Sequence, residues 1–184
     1  MSSFVIAICM LFALSAVTKG DPDTYAEDPK NFERQHLLDF TRQPQTFFVV
    51  KRDYKTETEH RCLSAKQVKE FENGTYEYQL SARVAGSSVS YTVPVDPMKT
   101  GAHTEPNAAY YEEAPNEGRL IHRIMTTNGE HTCFVITVPV GNIHGCFILV
   151  REDKAGKPIP NECDSVYKKE CGQTSVELYD STCK

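Results

Sequence analysis

Six cysteines spread between Cys62 and Cys183 constrain this chain more than any other feature: Cys62, Cys133, Cys146, Cys163, Cys171 and Cys183. Three of them crowd into the closing stretch "NECDSVYKKECGQTSVELYDSTCK". A seventh, Cys9, lies in "MSSFVIAICMLFALSAVTKG", whose apolar run from Phe4 to Val17 is too short to cross a bilayer and reads as the core of a signal peptide. Thr18 and Gly20 suit the small positions of a cleavage site, so residues 1–20 leave and residues 21–184 form one mature domain. An even number of cysteines in a secreted chain implies three disulfides.

Loss of Lys19 with the leader leaves 19 basic residues against 25 acidic ones, a net charge of −6. A mildly acidic chain without basic runs argues against nucleic acid and anionic membrane surfaces as partners. The signal peptide points to an extracellular protein, and no later stretch is apolar enough to anchor the chain. "NGT" at Asn73 is the one glycosylation sequon and falls in a turn-like stretch.

Asp28 and Pro29 in "EDPKNFERQHLLDF" suit the cap and first turn of a short helix reaching about Phe40. The period then changes to two. In "QTFFVVKR", Phe47 and Val49 oppose Phe48 and Val50. "TEHRCLSA" is a second strand. "GTYEYQLSARVAG" sends Tyr76, Tyr78, Leu80, Ala82 and Val84 to one face, and "SSVSYTVPV" does the same with Val89, Tyr91 and Val93. Pro94, Pro97, Gly101 and Pro106 predict a loop, "PVDPMKTGAHTEPN". "AAYYEEA", "GRLIHRIMTT", "HTCFVITVPV" and "IHGCFILVRE" bring the count to eight strands. The chain is all-β, an up-and-down barrel or a sandwich.

In "IPNECDSVYKKECG", Cys163, Val166, Tyr167 and Cys171 form one stripe of a helix. Cys163 and Cys171 then stand roughly 12 Å apart, beyond the ~7 Å that a disulfide tolerates. If Gly141-Asn142 is a two-residue hairpin turn, Cys133 faces Val150, and Cys146 shares its face about 13 Å away. Excluding both pairs leaves ten of the fifteen possible connectivities open. The matched spacings allow the helix to lie along the outside of the hairpin, stapled at both ends. Phe134, Ile136, Phe147 and Leu149 would then point into the barrel, unless the register slips by one.

With its leader, short N-terminal helix, eight strands and cysteine-bearing tail, the chain resembles the tick salivary lipocalins of the histamine-binding family. Cys62, Cys133 in "HTCFVI", Cys163 in "IPNEC" and Cys183 in "STCK" match that family's framework. The resemblance implies an eight-stranded antiparallel lipocalin (calycin) barrel, with Cys62–Cys183 and Cys133–Cys163 paired. Cys146–Cys171 remains, a pair the spacing permits. Six cysteines are most like the japanin-like branch. The Gly-x-Trp signature of ordinary lipocalins is absent, since the chain has no Trp. The resemblance further implies a salivary protein whose barrel holds a small molecule and which restrains host inflammation or immunity, with a host immune-cell receptor or immune factor as a conceivable protein partner.

The inward set expected to bind ligand is Phe47, Val49, Tyr76, Tyr78, Leu80, Val89, Tyr91, Val93, Phe134, Ile136, Phe147 and Leu149. It contains no acid, and Glu57, Glu59, Glu112 and Glu113 read as solvated. An apolar pocket with a few tyrosine hydroxyls suits a sterol or fatty acid better than histamine, whose charge would need a facing carboxylate. The same alternation also describes an ordinary filled core.

No P-loop, Gly-x-Ser-x-Gly or His-Glu-x-x-His pattern is present, and no cofactor is implied. His122, His131 and Cys133 could suggest a metal, but Cys133 is better assigned to a disulfide. An enzyme is not expected. Two classes stand: a carrier of a small hydrophobic ligand, with a histamine scavenger as its variant, and a module gripping a host protein through its loops.

Overall fold

The computed structural model describes residues 20–183; the expected signal peptide, residues 1–20, lies outside the described residues except for Gly20. Eight antiparallel strands close a barrel: β1 (Phe47–Arg52), β2 (His60–Glu70), β3 (Tyr76–Val84), β4 (Ser87–Met98), β5 (Ala108–Glu112), β6 (Arg119–Thr127), β7 (Cys133–Val140) and β8 (Ile143–Arg151). Neighbours pair in chain order from β2 to β8, and β1 closes the sheet by pairing with both β8 and β2. A short β9 (Val176–Glu177), not foreseen, adds to β1.

Alternation along each strand separates two apolar clusters. Inside the barrel lie Phe47, Tyr76, Tyr78, Val93, Ile124, Phe134, Ile136, Phe147 and Leu149. Outside, Val50, Met125, Val135, Ile148 and Val150 pack with Cys163 and Tyr167 of helix α3 (Asn161–Glu170). The β7–β8 hairpin turns at Gly141, whose φ of 59° favours glycine, and pairs Val140 with Ile143 and Cys133 with Val150. Disulfides join Cys133 to Cys163 and Cys146 to Cys171, fixing α3 along the hairpin, and Cys62 to Cys183.

Three expectations need correction. The single helix to Phe40 is instead α1 (Pro22–Glu27), a 3-10 turn (Pro29–Arg34) and α2 (Leu38–Thr41). Asp28 is extended (ψ 119°) and caps Lys30 N–H, ending one helix and starting the next turn, while buried Gln35 donates to Met125 O at 3.0 Å and draws the chain inward. The loop read from Pro94 begins only after Met98. β4 pairs with β3 up to Val95 and with β5 from Asp96. Each proline therefore sits where the strand has one bonded neighbour, which sheets tolerate. Finally, Glu113 is not solvated, as described below.

Asn73 lies in the exposed β2–β3 turn, where its Oδ1 accepts Thr75 N–H. Beneath this end of the barrel Phe40 of α2 packs on Phe47, Tyr78 and Phe134 at centroid distances of 5.0, 5.7 and 5.4 Å, an aromatic plug.

Candidate functional site

Above the plug the barrel encloses a cavity of about 750 Å³. It opens between the β1–β2, β3–β4 and β5–β6 connections, opposite Asn73. Eight of the twelve expected residues line it: Val49, Tyr78, Leu80, Val89, Tyr91, Ile136, Phe147 and Leu149. Val89 is half exposed at the mouth. Phe47, Tyr76, Val93 and Phe134 face inward too, but are consumed in the buried core around the plug.

The polar part of the wall was not in the expected set. Along β1 strict alternation would send Lys51 inward and Arg52 outward. A bulge between Val49 and Lys51 reverses this: Lys51 pairs outside with Glu177 at 3.0 Å, and Arg52 lines the cavity. Arg52 is 7 % exposed, and no carboxylate lies within ion-pair distance among the described residues. Its Nη2 donates to Lys55 O at 2.8 Å, its guanidinium stands 5.3 Å from the Tyr54 ring centroid, and its Nε has no hydrogen-bond partner among the described residues.

The second polar group comes from β5 and β6. Ala109, Tyr111 and Glu113 share the inward parity of β5, as do Leu120, His122 and Ile124 of β6. The Glu113 side chain is 17 % exposed and His122 only 2 %. His122 Nδ1 lies 3.0 Å from Leu120 O; a carbonyl only accepts, so Nδ1 carries a proton and Nε2 meets Glu113 Oε1 at 3.2 Å. The same oxygen accepts the Tyr54 hydroxyl at 2.5 Å, and Lys55 Nζ stands 3.7 Å from Oε2. Tyr91 donates its hydroxyl to Glu113 O. Tyr111 stacks on His122, centroids 3.9 Å apart.

Burial pushes the Glu113 carboxyl up, but the His122 hydrogen bond and charge, with Tyr54 and Lys55, carry it below its ordinary value. Burial and the Glu113 charge raise Tyr54 and Tyr111 well above the ordinary range and Tyr91 to about 12, so these rings present neutral hydroxyls. Glu112 faces away and accepts Gly118 N–H. Glu57 and Glu59 reach only the exposed mouth. The three residues weighed as metal ligands do not act together: Cys133 is bonded to Cys163, His122 to Glu113 and Leu120, and His131 stands 3.7 Å from Asp39.

Solved structures share this architecture at low identity. Japanin from Rhipicephalus appendiculatus, bound to cholesterol, superposes with a TM-score of 0.54 at 11 % identity, covering 77 % of this chain and 96 % of japanin. AM182 in its serotonin complex gives 0.57 at 11 % identity, covering 88 % and 92 %. Lobster apocrustacyanin A1 gives 0.56 at 10 % identity, covering 89 % and 91 %. These likenesses fix the lipocalin fold. No curated protein matches the chain in sequence. The family described as tick histamine binding protein matches residues 25–184, and by that match over most of its length the chain belongs to the tick histamine-binding family of lipocalins.

Proposed function

We propose that the protein is a secreted lipocalin that captures a small amphiphile, with an apolar body in the barrel and one polar end, of fatty acid or sterol type. The observation that carries this reading is the cavity of about 750 Å³, walled mainly by apolar side chains, whose one buried charge without an opposite partner among the described residues is Arg52. A desolvated guanidinium is costly to leave unpaired and is matched by a carboxylate. A sterol hydroxyl could instead meet Glu113 or Tyr91. Cholesterol in the japanin structure supports an apolar ligand in this fold.

Capture of a small amine is the second reading. The family's description, the serotonin in the AM182 structure and the buried Glu113 among aromatic rings favour it. The donors already on Glu113 weigh against it. Sequestration of a host mediator during feeding would make the protein a modulator of inflammation or immunity, in line with its family. A glycan at Asn73 would not obstruct the mouth. Action through the 99–107 loop is less well supported, because Asn107 bonds Thr100 at 2.8 Å and His103 stacks on Phe32 and meets Gln35, holding that loop down.

Native mass spectrometry of the secreted protein, exposed separately to oleate, cholesterol and histamine, tests the proposal. One retained equivalent of oleate or cholesterol supports it. Stoichiometric histamine with neither lipid would overturn it in favour of the amine reading.

A further inference from the structure

Among the described residues the cavity holds one largely buried acid, Glu113, and its fate decides whether cations can enter. An ammonium leaving water for an apolar cavity needs a carboxylate with free acceptor capacity. Among the described residues Glu113 is the only cavity acid that is not exposed; Glu57, Glu59 and Glu117 lie at the rim. Two donors converge on its Oε1, Tyr54 and His122, and Lys55 Nζ faces Oε2. Of these three, His122 belongs to the strand adjoining Glu113. Tyr54 and Lys55 arrive from the far side of the mouth, 59 and 58 residues earlier in the chain.

Their delivery is built into the β1–β2 connection. Lys55 has a φ of 45°, and its carbonyl is held by Arg52. The Tyr54 ring lies against Gly145, where a Cβ would stand 2.6 Å from Cδ1 and 2.9 Å from Cγ. Gly145 sits in the interior of β8, where glycine weakens a strand unless close approach requires it. Here the space it leaves admits the ring that reaches Glu113. Lys55 also spans the mouth to Glu117 at 2.6 Å.

We propose that Tyr54 and Lys55 are specificity-determining residues: by occupying Glu113 from across the mouth they mask the one carboxylate that could receive a ligand ammonium, and so bias the barrel away from small amines. This rests on the reading of the barrel as a ligand site. The remaining unmatched charge, Arg52, is itself a cation and works in the same direction. Gly145 is a positioning residue that acts through Tyr54.

Calorimetric titration of oleate, histamine and serotonin into the wild type, Tyr54→Phe, Lys55→Gln and the double variant tests it. The wild type should bind oleate and neither amine. Freeing one charge-assisted acceptor is expected to tighten amine binding by about tenfold or more, with the larger gain in the double variant. Adding Glu113→Gln should abolish the gain, which a general loosening of the barrel would not. The single variants keep the test decisive should the double variant not fold. Amine binding by the wild type as tight as by the variants would overturn the masking, as would variants that bind oleate but gain no amine. No binding of any probe by any protein would instead overturn the ligand-site reading beneath it.

Discussion

Gly145 lies directly against the Tyr54 ring, and the hydroxyl of that ring donates to Glu113 at 2.5 Å. A strand glycine, a loop aromatic and a cavity acid thus form one unit. Gly145→Ala should push the ring aside at an overpacking cost of about 1–3 kcal/mol, read as a lower midpoint in urea unfolding. The same variant should gain amine affinity in the direction of Tyr54→Phe, since both remove one donor from Glu113.

A fatty acid in the proposed site would set its carboxylate against Arg52, which lines the cavity. Arg52→Gln should weaken oleate binding by about tenfold or more while affecting cholesterol far less, because only oleate offers a carboxylate. Competition titrations of the two lipids against both proteins check this. Equal losses for both would assign Arg52 to the packing of the wall.

Acid stability follows the Glu113 carboxyl. The folded chain holds it below its ordinary value of 4.5, so folding favours the charged form. That contribution is complete above the unfolded value and is lost as pH falls through the lower folded one. Wild type should therefore lose stability below about pH 4.5 more steeply than Glu113→Gln, in which the group cannot titrate. Urea midpoints from pH 3 to 7 measure the difference.

The Cys146–Cys171 bond closes a 25-residue separation and ties the end of α3 to β8. Replacing both cysteines with alanine should cost about 2–4 kcal/mol without dissolving the barrel, because Cys133–Cys163 still holds the helix start. Nonreducing peptide mapping of the wild type should recover the three pairs seen here. A Cys133–Cys171 peptide would contradict the placement of α3.

The parts of this architecture legible in sequence were those set by strict periods. Tyr78, Leu80, Tyr91 and Leu149 alternate without interruption and lie on the cavity wall; the hairpin register followed from one two-residue turn. Where the period breaks, the faces are no longer legible in sequence. The bulge beside Val50 exchanges the faces of Lys51 and Arg52, and nothing in "FFVVKR" marks it. Glu113 carried a usable signal, the parity it shares with Ala109 and Tyr111, but the doubled letters of "AAYYEEA" hid which set faced inward. Tyr54 lies beyond its strand, and contacts with Gly145 and Glu113, far away in sequence, place it. Pro94 and Pro97 suggest the end of β4 because a lone sequence does not show which neighbour a strand is leaving.

Oleate titrated calorimetrically at several temperatures into the wild type and Tyr78→Arg tests the central claim most directly. Tyr78 lines the cavity just above the plug, where an arginine would fill and charge the apolar floor. The account predicts one equivalent bound by the wild type, with a negative heat-capacity change from apolar burial, and loss of that binding in a folded Tyr78→Arg. Saturable binding that survives the substitution unchanged would place the ligand outside the barrel and contradict the account.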